Sequence, residues 1–144
     1  MHSWRVREKI VNMIEETTGG RVMFGSCKIG GARRDVDAET LQRIERELGA
    51  LEKDIREITA IFEDDSSLKH RLVGVGVISK DEAWKLGAVG PTLRASGVAQ
   101  DTRRLPYAAY GELDWQPVTE TAGDCQARSV VRVREIFQSL DLIR

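Results

Sequence analysis

The stretch from Asp37 to Glu63, DAETLQRIERELGALEKDIREITAIFE, decides the architecture. Leu41, Ile44, Leu48, Leu51, Ile55, Ile58 and Phe62 step along it by 3, 4, 3, 4, 3 and 4 residues, the a/d spacing of a helical seam. Asp37 stands where an N-cap is needed. At about 1.5 Å per residue such a helix spans roughly 40 Å. Glu45, Arg46, Glu47, Glu52, Lys53, Asp54, Arg56 and Glu57 fill the positions between, as a solvated face does. The seam dictates packing, in a long bundle helix or one arm of a helical hairpin, and carries no chemistry.

Upstream, Val6, Ile10, Met13 and Ile14 fall on one face of a helix from about Ser3 to Thr17, which Gly19-Gly20 stops. Arg21 to Ile29 reads as a strand or extended loop, and Gly30-Gly31 as a turn ahead of Arg33-Arg34-Asp35. Cys27 reads as a small buried hydrophobe, because His2 and His70 are the only histidines that could activate it. Downstream, Asp64 to Ser67 breaks the long helix, and Leu68 to His70 adds a short turn. Val73, Val75 and Val77 alternate with glycines, which suggests a short strand. Ser79-Lys80-Asp81-Glu82 is a capping box that opens a short helix, with Gly87 as its stop. The chain then reads as loop through Arg104, and as strand and turn from Pro106 to Pro117. Asp124 caps a last helix whose seam is Val130, Val133, Phe137 and Leu140, reinforced by Ile136 and Ile143. The expected class is α+β: mainly a helical bundle of three helices, two of them long, plus a small irregular β region. One domain, 1–144, is expected.

Composition narrows the function. Hydrophobic residues are 41% and charged residues 31%, as in a globular chain, and the net charge of -1 argues against a strongly basic nucleic-acid surface. No apolar run approaches the roughly 18 residues of a membrane helix. Two cysteines without a CxxC pair argue against a disulfide framework and for a reducing compartment. A helical pattern is under way by Val6 and the last one is still apolar at Leu142 and Ile143, so the chain reads as part of a longer protein.

Chemistry-bearing motifs are sparse. Gly74-Val75-Gly76-Val77-Ile78-Ser79 lacks the last glycine of a dinucleotide fingerprint, and no βαβ repeat surrounds it. Metal ligation and a Ser or Cys triad find no support in spacing. What remains is Arg94, Asp101, Arg103 and Arg104, with Lys80, Asp81 and Glu82 upstream. Guanidinium and carboxylate groups on a glycine-rich loop can orient a polar substrate, or simply hold the loop by ion pairs.

Five runs carry a family resemblance: REKIVNMIEETTGGRV (7–22), CKIGGARRD (27–35), RLVGVGVISKDEAWKLGAVGPTLRASGVAQDTR (71–103), PYAAYGELDW (106–115) and GDCQARSVVRVREIFQSLDLIR (123–144). In this order they closely resemble the nickel-iron-hydrogenase-like large subunits. That family includes the quinone-site subunit of NADH:quinone oxidoreductase and the large subunits of membrane-bound, energy-converting hydrogenases. CKIGGARRD and the residues near Trp115 look nearer to the hydrogenase branch. The resemblance implies a central portion of such a subunit, supporting electron transfer from an iron-sulfur small subunit to protons or quinone. It implies a cytoplasmic location, peripheral on the inner face of the membrane, among other subunits of a redox complex, with no nucleic acid and no direct membrane insertion. A nickel-iron centre or quinone is implied for the full-length family. The two CxxC motifs that hold nickel and iron are absent here, so the segment alone is expected to bind no cofactor and to be inactive. Arg7, Glu8 and Lys9 match a family REK motif, and Arg94, Asp101 and Arg103 match its LRASGVAxDxR loop. The resemblance implies that the first set lies near the quinone or metal cavity, and that the second supports the cavity or the contact with the iron-sulfur subunit. A non-catalytic scaffold or assembly module of the same family, and a helical dimerisation adaptor, are the alternatives.

Overall fold

The computed structural model describes residues 2–105 and 107–144, except for the side chains of His2 and Phe62. These residues form six α-helices and one two-stranded antiparallel sheet. They gather into two compact units, 1–58 and 59–144.

The first unit is built on α1 (His2–Thr18) and most of α2 (Ala38–Asp64). Asp37 caps α2 as its position demands, its Oδ1 accepting the Thr40 amide at 2.8 Å. Ion pairs join Lys9 to Asp54 at 2.8 Å and Glu16 to Arg43 at 2.5 Å, so the two helices run antiparallel. Val6, Val11, Met13, Leu48, Leu51 and Ile55 are buried. The middle of the seam is thus spent on this chain's own core rather than left as a dimerisation surface. Leu41 departs from the expected pattern: it is 56% exposed, because the seam outruns the partner helix at that end. Phe62, the last expected seam position, lies outside the described side chains.

Between the helices, β1 (Cys27–Lys28) and β2 (Gly31–Ala32) pair in a short hairpin, turning through Ile29 and Gly30, the latter at φ +90°. Only Gly accepts that dihedral without strain. Every residue from 22 to 36 is exposed. Cys27 is therefore exposed and not the buried hydrophobe expected, because its strand has a single neighbour and no covering layer.

The second unit holds α3 (Ser66–Leu72), α4 (Lys80–Lys85), α5 (Gly90–Arg94) and α6 (Cys125–Ile143). The capping box at Ser79 and Glu82 forms in both directions. Gly87, at φ +64°, closes α4 with the paired bonds Ala88 N to Ala83 O and Gly87 N to Trp84 O. α5 falls where loop was expected, started by Pro91 in its first turn. It packs on α6 around Ala95, Ala127 and Val131, which Val118 covers.

Two expected β segments are absent among the described residues, for a shared reason. The Val73-Gly74-Val75-Gly76-Val77 run does not pair with a strand; its backbone is consumed by the start of α6. Gly74 N donates to Asp124 Oδ2 at 2.8 Å, Cys125 N to Val75 O at 3.0 Å, and Ile78 N to Gly123 O at 3.0 Å. Gly74 and Gly76 take φ +70° and +61°, which turn the chain twice. The expected strand and turn material of 106–117 contains a 3-10 turn over Ala108–Gly111 instead, and Pro106 lies outside the described residues. Of the expected α6 seam, Val133 and Leu140 are buried and Val130 and Phe137 partly so, while Ile136 and Ile143 are exposed; Ala127 and Val131 are buried as well, because the closest approach is made at alanines rather than at large side chains.

Candidate functional site

The charged residues of the 94–103 loop converge. Arg94 ends α5, and Asp101 caps a 3-10 turn, Thr102–Arg104, with its carboxylate on the Arg103 amide. Asp101 Oδ1 accepts from Arg103 N and Nε, both at 3.0 Å, and Oδ2 accepts from Arg103 Nη2 at 2.7 Å. Arg94 Nη1 lies 3.3 Å from the same Oδ2 and donates to the Gln100 carbonyl at 3.1 Å. On its other side Arg94 grips Glu135 of α6, Nε at 2.7 Å and Nη2 at 2.5 Å from Oε1. The side chains of Arg94, Asp101 and Glu135 are 8%, 5% and 17% exposed. Two guanidinium groups and two carboxylates therefore sit under the surface as a neutral, alternating network. That balance is what allows charge to be buried at all.

The electrostatics follow from the bonds. Hydrogen bonding from Arg103 holds the Asp101 carboxyl below the usual aspartate range, against the opposing effect of burial. The same bond raises Arg103. Arg103 also lies over the Trp115 ring, 4.5 Å from its centroid, and its Nη2 reaches Gln138 Oε1 at 3.4 Å. Tyr110 and Tyr107 continue the aromatic packing, with ring centroids 6.3 Å from Trp115 to Tyr110 and 5.1 Å from Tyr110 to Tyr107. Beside the network opens a cleft of about 560 Å³ whose walls include Leu93, Arg94, Asp101, Arg103 and Glu135. Such a wall can present fixed dipoles to a polar group and exchange a proton only through carboxylates that are already paired.

The backbone beneath is equally constrained. Glu120 N donates to Arg94 O at 3.1 Å and Gly123 N to Ala95 O at 2.9 Å. Gly123, at φ +65°, has no room for a side chain: a Cβ there would stand 2.2 Å from the Ile78 carbonyl. Asp124 is buried. Burial pushes its carboxyl up, but the amides of Ala127 and Gly74 and the Arg128 charge together hold it below the usual range.

Arg7, Glu8 and Lys9 belong to the first unit and are exposed on α1. Lys9 pairs with Asp54, Glu8 with Arg21, and Arg7 lies 5.7 Å from the Trp4 ring centroid. The network acquires members that sequence reasoning missed: Glu135, Gln138 and Trp115. Glu135 had a signal. It continues the buried Ala127–Val131 line by a further step of four, so an acid stands on the packed stripe of α6.

A nickel-iron centre does not fit these residues. Among the described residues no three His, Cys, Asp or Glu side chains gather as a metal ion needs, Cys27 is on the hairpin and Cys125 opens α6.

Comparison with known proteins agrees across the full length. The model of the respiratory-chain NADH dehydrogenase 49-kDa subunit family matches residues 1–144. The C/D-type subunit of NADH-quinone oxidoreductase from Phocaeicola vulgatus is 41% identical over 143 residues, which is 99% of this chain and 28% of that protein. The D-type subunit of F(420)H(2) dehydrogenase from Methanosarcina mazei is 40% identical over 144 residues, 99% of this chain and 38% of its own length. A D-type subunit of NADH-quinone oxidoreductase from Rhizobium etli is 37% identical over 145 residues, covering 100% of this chain and 36% of the relative. The chain thus spans between about a quarter and two-fifths of the relatives it matches. With a match that leaves no part of the sequence unaccounted for, the chain belongs to the respiratory-chain NADH dehydrogenase 49-kDa subunit family.

Proposed function

We propose that this chain forms the central part of the large subunit of a membrane-associated redox complex of the NADH-quinone oxidoreductase type. There it supports electron transfer from an iron-sulfur subunit to the terminal acceptor. The observation that carries the reading is the buried Arg94–Asp101–Arg103–Glu135 network on the family's LRASGVAxDxR loop. Electron transfer needs donor and acceptor held at a fixed spacing, and a fully paired network between α5 and α6 gives that rigidity without leaving a loose charge. The names of the relatives favour quinone over protons as the acceptor. Arg94, Asp101 and Arg103 would form the supporting wall of the cavity or of the contact with the iron-sulfur subunit. Arg7, Glu8 and Lys9 are accessible enough on α1 to serve as a second polar contact. No helix among the described residues is long and apolar enough to cross a membrane, which suits a peripheral position on the inner face.

The test is to tag the protein in its own host, wash the membranes with salt, extract them with mild detergent and identify what purifies with it. The expected result is a complex that contains an iron-sulfur subunit and reduces a quinone, with a lower rate in Asp101→Asn. Recovery of the chain alone, with no redox partner, would overturn the reading.

A further inference from the structure

Both tyrosines of the chain and one of its three tryptophans stand in a single line of rings. Trp115 meets Tyr110 edge-on, with 6.3 Å between centroids and 64° between planes, and Tyr110 meets Tyr107 at 5.1 Å and 55°. The line starts at the charged network, where the Arg103 guanidinium lies 4.5 Å from the Trp115 centroid. Trp115 and Tyr110 are half-buried, and Tyr107 is 51% exposed.

Two features fix the spacing. Gln138 Nε2 donates to the Gln116 carbonyl at 2.6 Å and pins the Trp115 end to α6. At the other end the 3-10 turn Ala108–Gly111 folds Tyr110 back on Tyr107, whose carbonyl accepts the Tyr110 amide at 3.2 Å. Ala108, directly after Tyr107, takes φ +48°, the only positive φ outside glycine among the described residues. Alanine is strained there, and such strain persists only where the surrounding structure holds it. Phenylalanine would pack as well at each position. Indole and phenol are the aromatic side chains from which a single electron can be drawn in turn.

We propose that Trp115, Tyr110 and Tyr107 form a relay for one-electron oxidation, which carries an oxidising equivalent from the edge of the charged network out to Tyr107. It rests on the reading of the chain as part of a redox complex, where a reduced centre that leaks single electrons to dioxygen gives rise to oxygen-derived radicals. Such a radical, of the hydroxyl or carbonate class, takes one electron from the Trp115 indole and becomes an anion. The indole N–H proton goes to water, leaving a neutral indolyl radical. The Tyr110 phenol then gives an electron and its proton, which restores Trp115 and leaves a phenoxyl radical on Tyr110. Tyr107 repeats the step toward Tyr110, and a dissolved thiol returns an electron and a proton to Tyr107, becoming a thiyl radical. The direction has two causes. A phenol reduces a neutral indolyl radical at neutral pH, and an electron missing from the Trp115 ring forfeits its attraction for the Arg103 guanidinium. The relay depends on ring spacing within the chain, whatever covers the outer side of Trp115.

The test uses the full 144-residue chain with Trp4→Phe and Trp84→Phe, at side chains 69% and 63% exposed, so that Trp115 is the single tryptophan. A radiolytic pulse in azide solution makes azide radicals that oxidise the indole, and optical absorption follows indolyl and phenoxyl radicals separately. The indolyl signal should decay as the phenoxyl signal grows, at a rate independent of protein concentration. In Tyr110→Phe that matched phase should be lost. A nitroso spin trap, located by peptide mass spectrometry, should mark Tyr107 in the parent and Tyr110 in Tyr107→Phe. A rate proportional to protein concentration, a matched phase that survives in folded Tyr110→Phe, or a parent marked at Tyr110 alone would each overturn the proposal. Should Tyr110→Phe fail to fold, the concentration dependence and the marked residue in the parent still decide. A chain that purifies in a redox complex but shows no transfer sinks only the relay. A chain that shows transfer but purifies without a redox partner sinks only the reading of function.

Discussion

Removing Arg94 and Glu135 together should cost far less than the sum of removing each alone. In Glu135→Leu, Arg94 loses the acceptor of its bonds at 2.7 and 2.5 Å while its guanidinium stays 8% exposed. Breaking a buried pair from one side costs about 3–5 kcal/mol, and here the low end applies, because Arg94 keeps Asp101 and the Gln100 carbonyl. Arg94→Met should cost about 3 kcal/mol by the same reasoning, since Asp101 retains Arg103 and Glu135 is stranded. The double variant strands neither group and fills the space with apolar atoms, so it should cost less than either single, about 1–2 kcal/mol for the bonds Arg94 no longer makes to Asp101 and the Gln100 carbonyl. The expected coupling is then about 4–5 kcal/mol. Urea unfolding of the four proteins at neutral pH, with equal denaturant slopes as the condition for comparison, measures it. Additivity to within about 0.5 kcal/mol would refute the view that the two side chains share one buried interaction.

Acid should loosen the second unit. The folded-state carboxyls of Asp101 and Asp124 are both depressed, so the stability they confer is present above the unfolded aspartate value of about 3.9 and is lost as pH falls through the lower folded values. Urea midpoints measured from neutral to strongly acidic pH should decline below about pH 4, less steeply in Asp101→Asn. Gly123→Ala should destabilise by more than about 3 kcal/mol or prevent folding, since strain at positive φ adds to a 2.2 Å approach to the Ile78 carbonyl. Gly87→Ala, at φ +64° but with open space, should cost only about 1 kcal/mol, both glycine variants being compared by urea unfolding. Leu51→Ala, at a side chain 1% exposed, should cost about 2–5 kcal/mol, whereas Leu41→Ala, at 56%, should stay within about 0.5 kcal/mol.

The regular helices were legible because their causes are local. Asp37 and Asp124 cap where their side chains can reach a free amide, the Ser79 box needs only residues 79–82, and Gly87 ends α4 through its own dihedral. The failures share a non-local cause. Val73 to Val77 alternates as a strand does, yet what meets its backbone is the start of α6, some fifty residues on. The bulk-based reading of α6 found Val133 and Leu140 but added Ile136 and Ile143, which are exposed, and missed Ala127 and Val131, which are buried because Ala95 allows a close approach. Arg94, Asp101 and Arg103 could be grouped from the sequence because they lie within ten residues. Glu135 could not be joined to them without knowing that α5 rests on α6.

The bonds from Gly74 to Asp124 and from Arg128 to the Gly76 carbonyl, with sequence separations of 50 and 52, close a ring of chain that contains α4 and α5. Closing a ring of about fifty residues forfeits roughly 3.5 kcal/mol of chain entropy, a loss that grows only with the logarithm of length. Doubling the ring would add about 0.6 kcal/mol. The segment from 79 to 122 is thus free, on entropic grounds, to accept long insertions at its exposed turns. The two-glycine turn and the first turn of α6, which clasp the ring, are not.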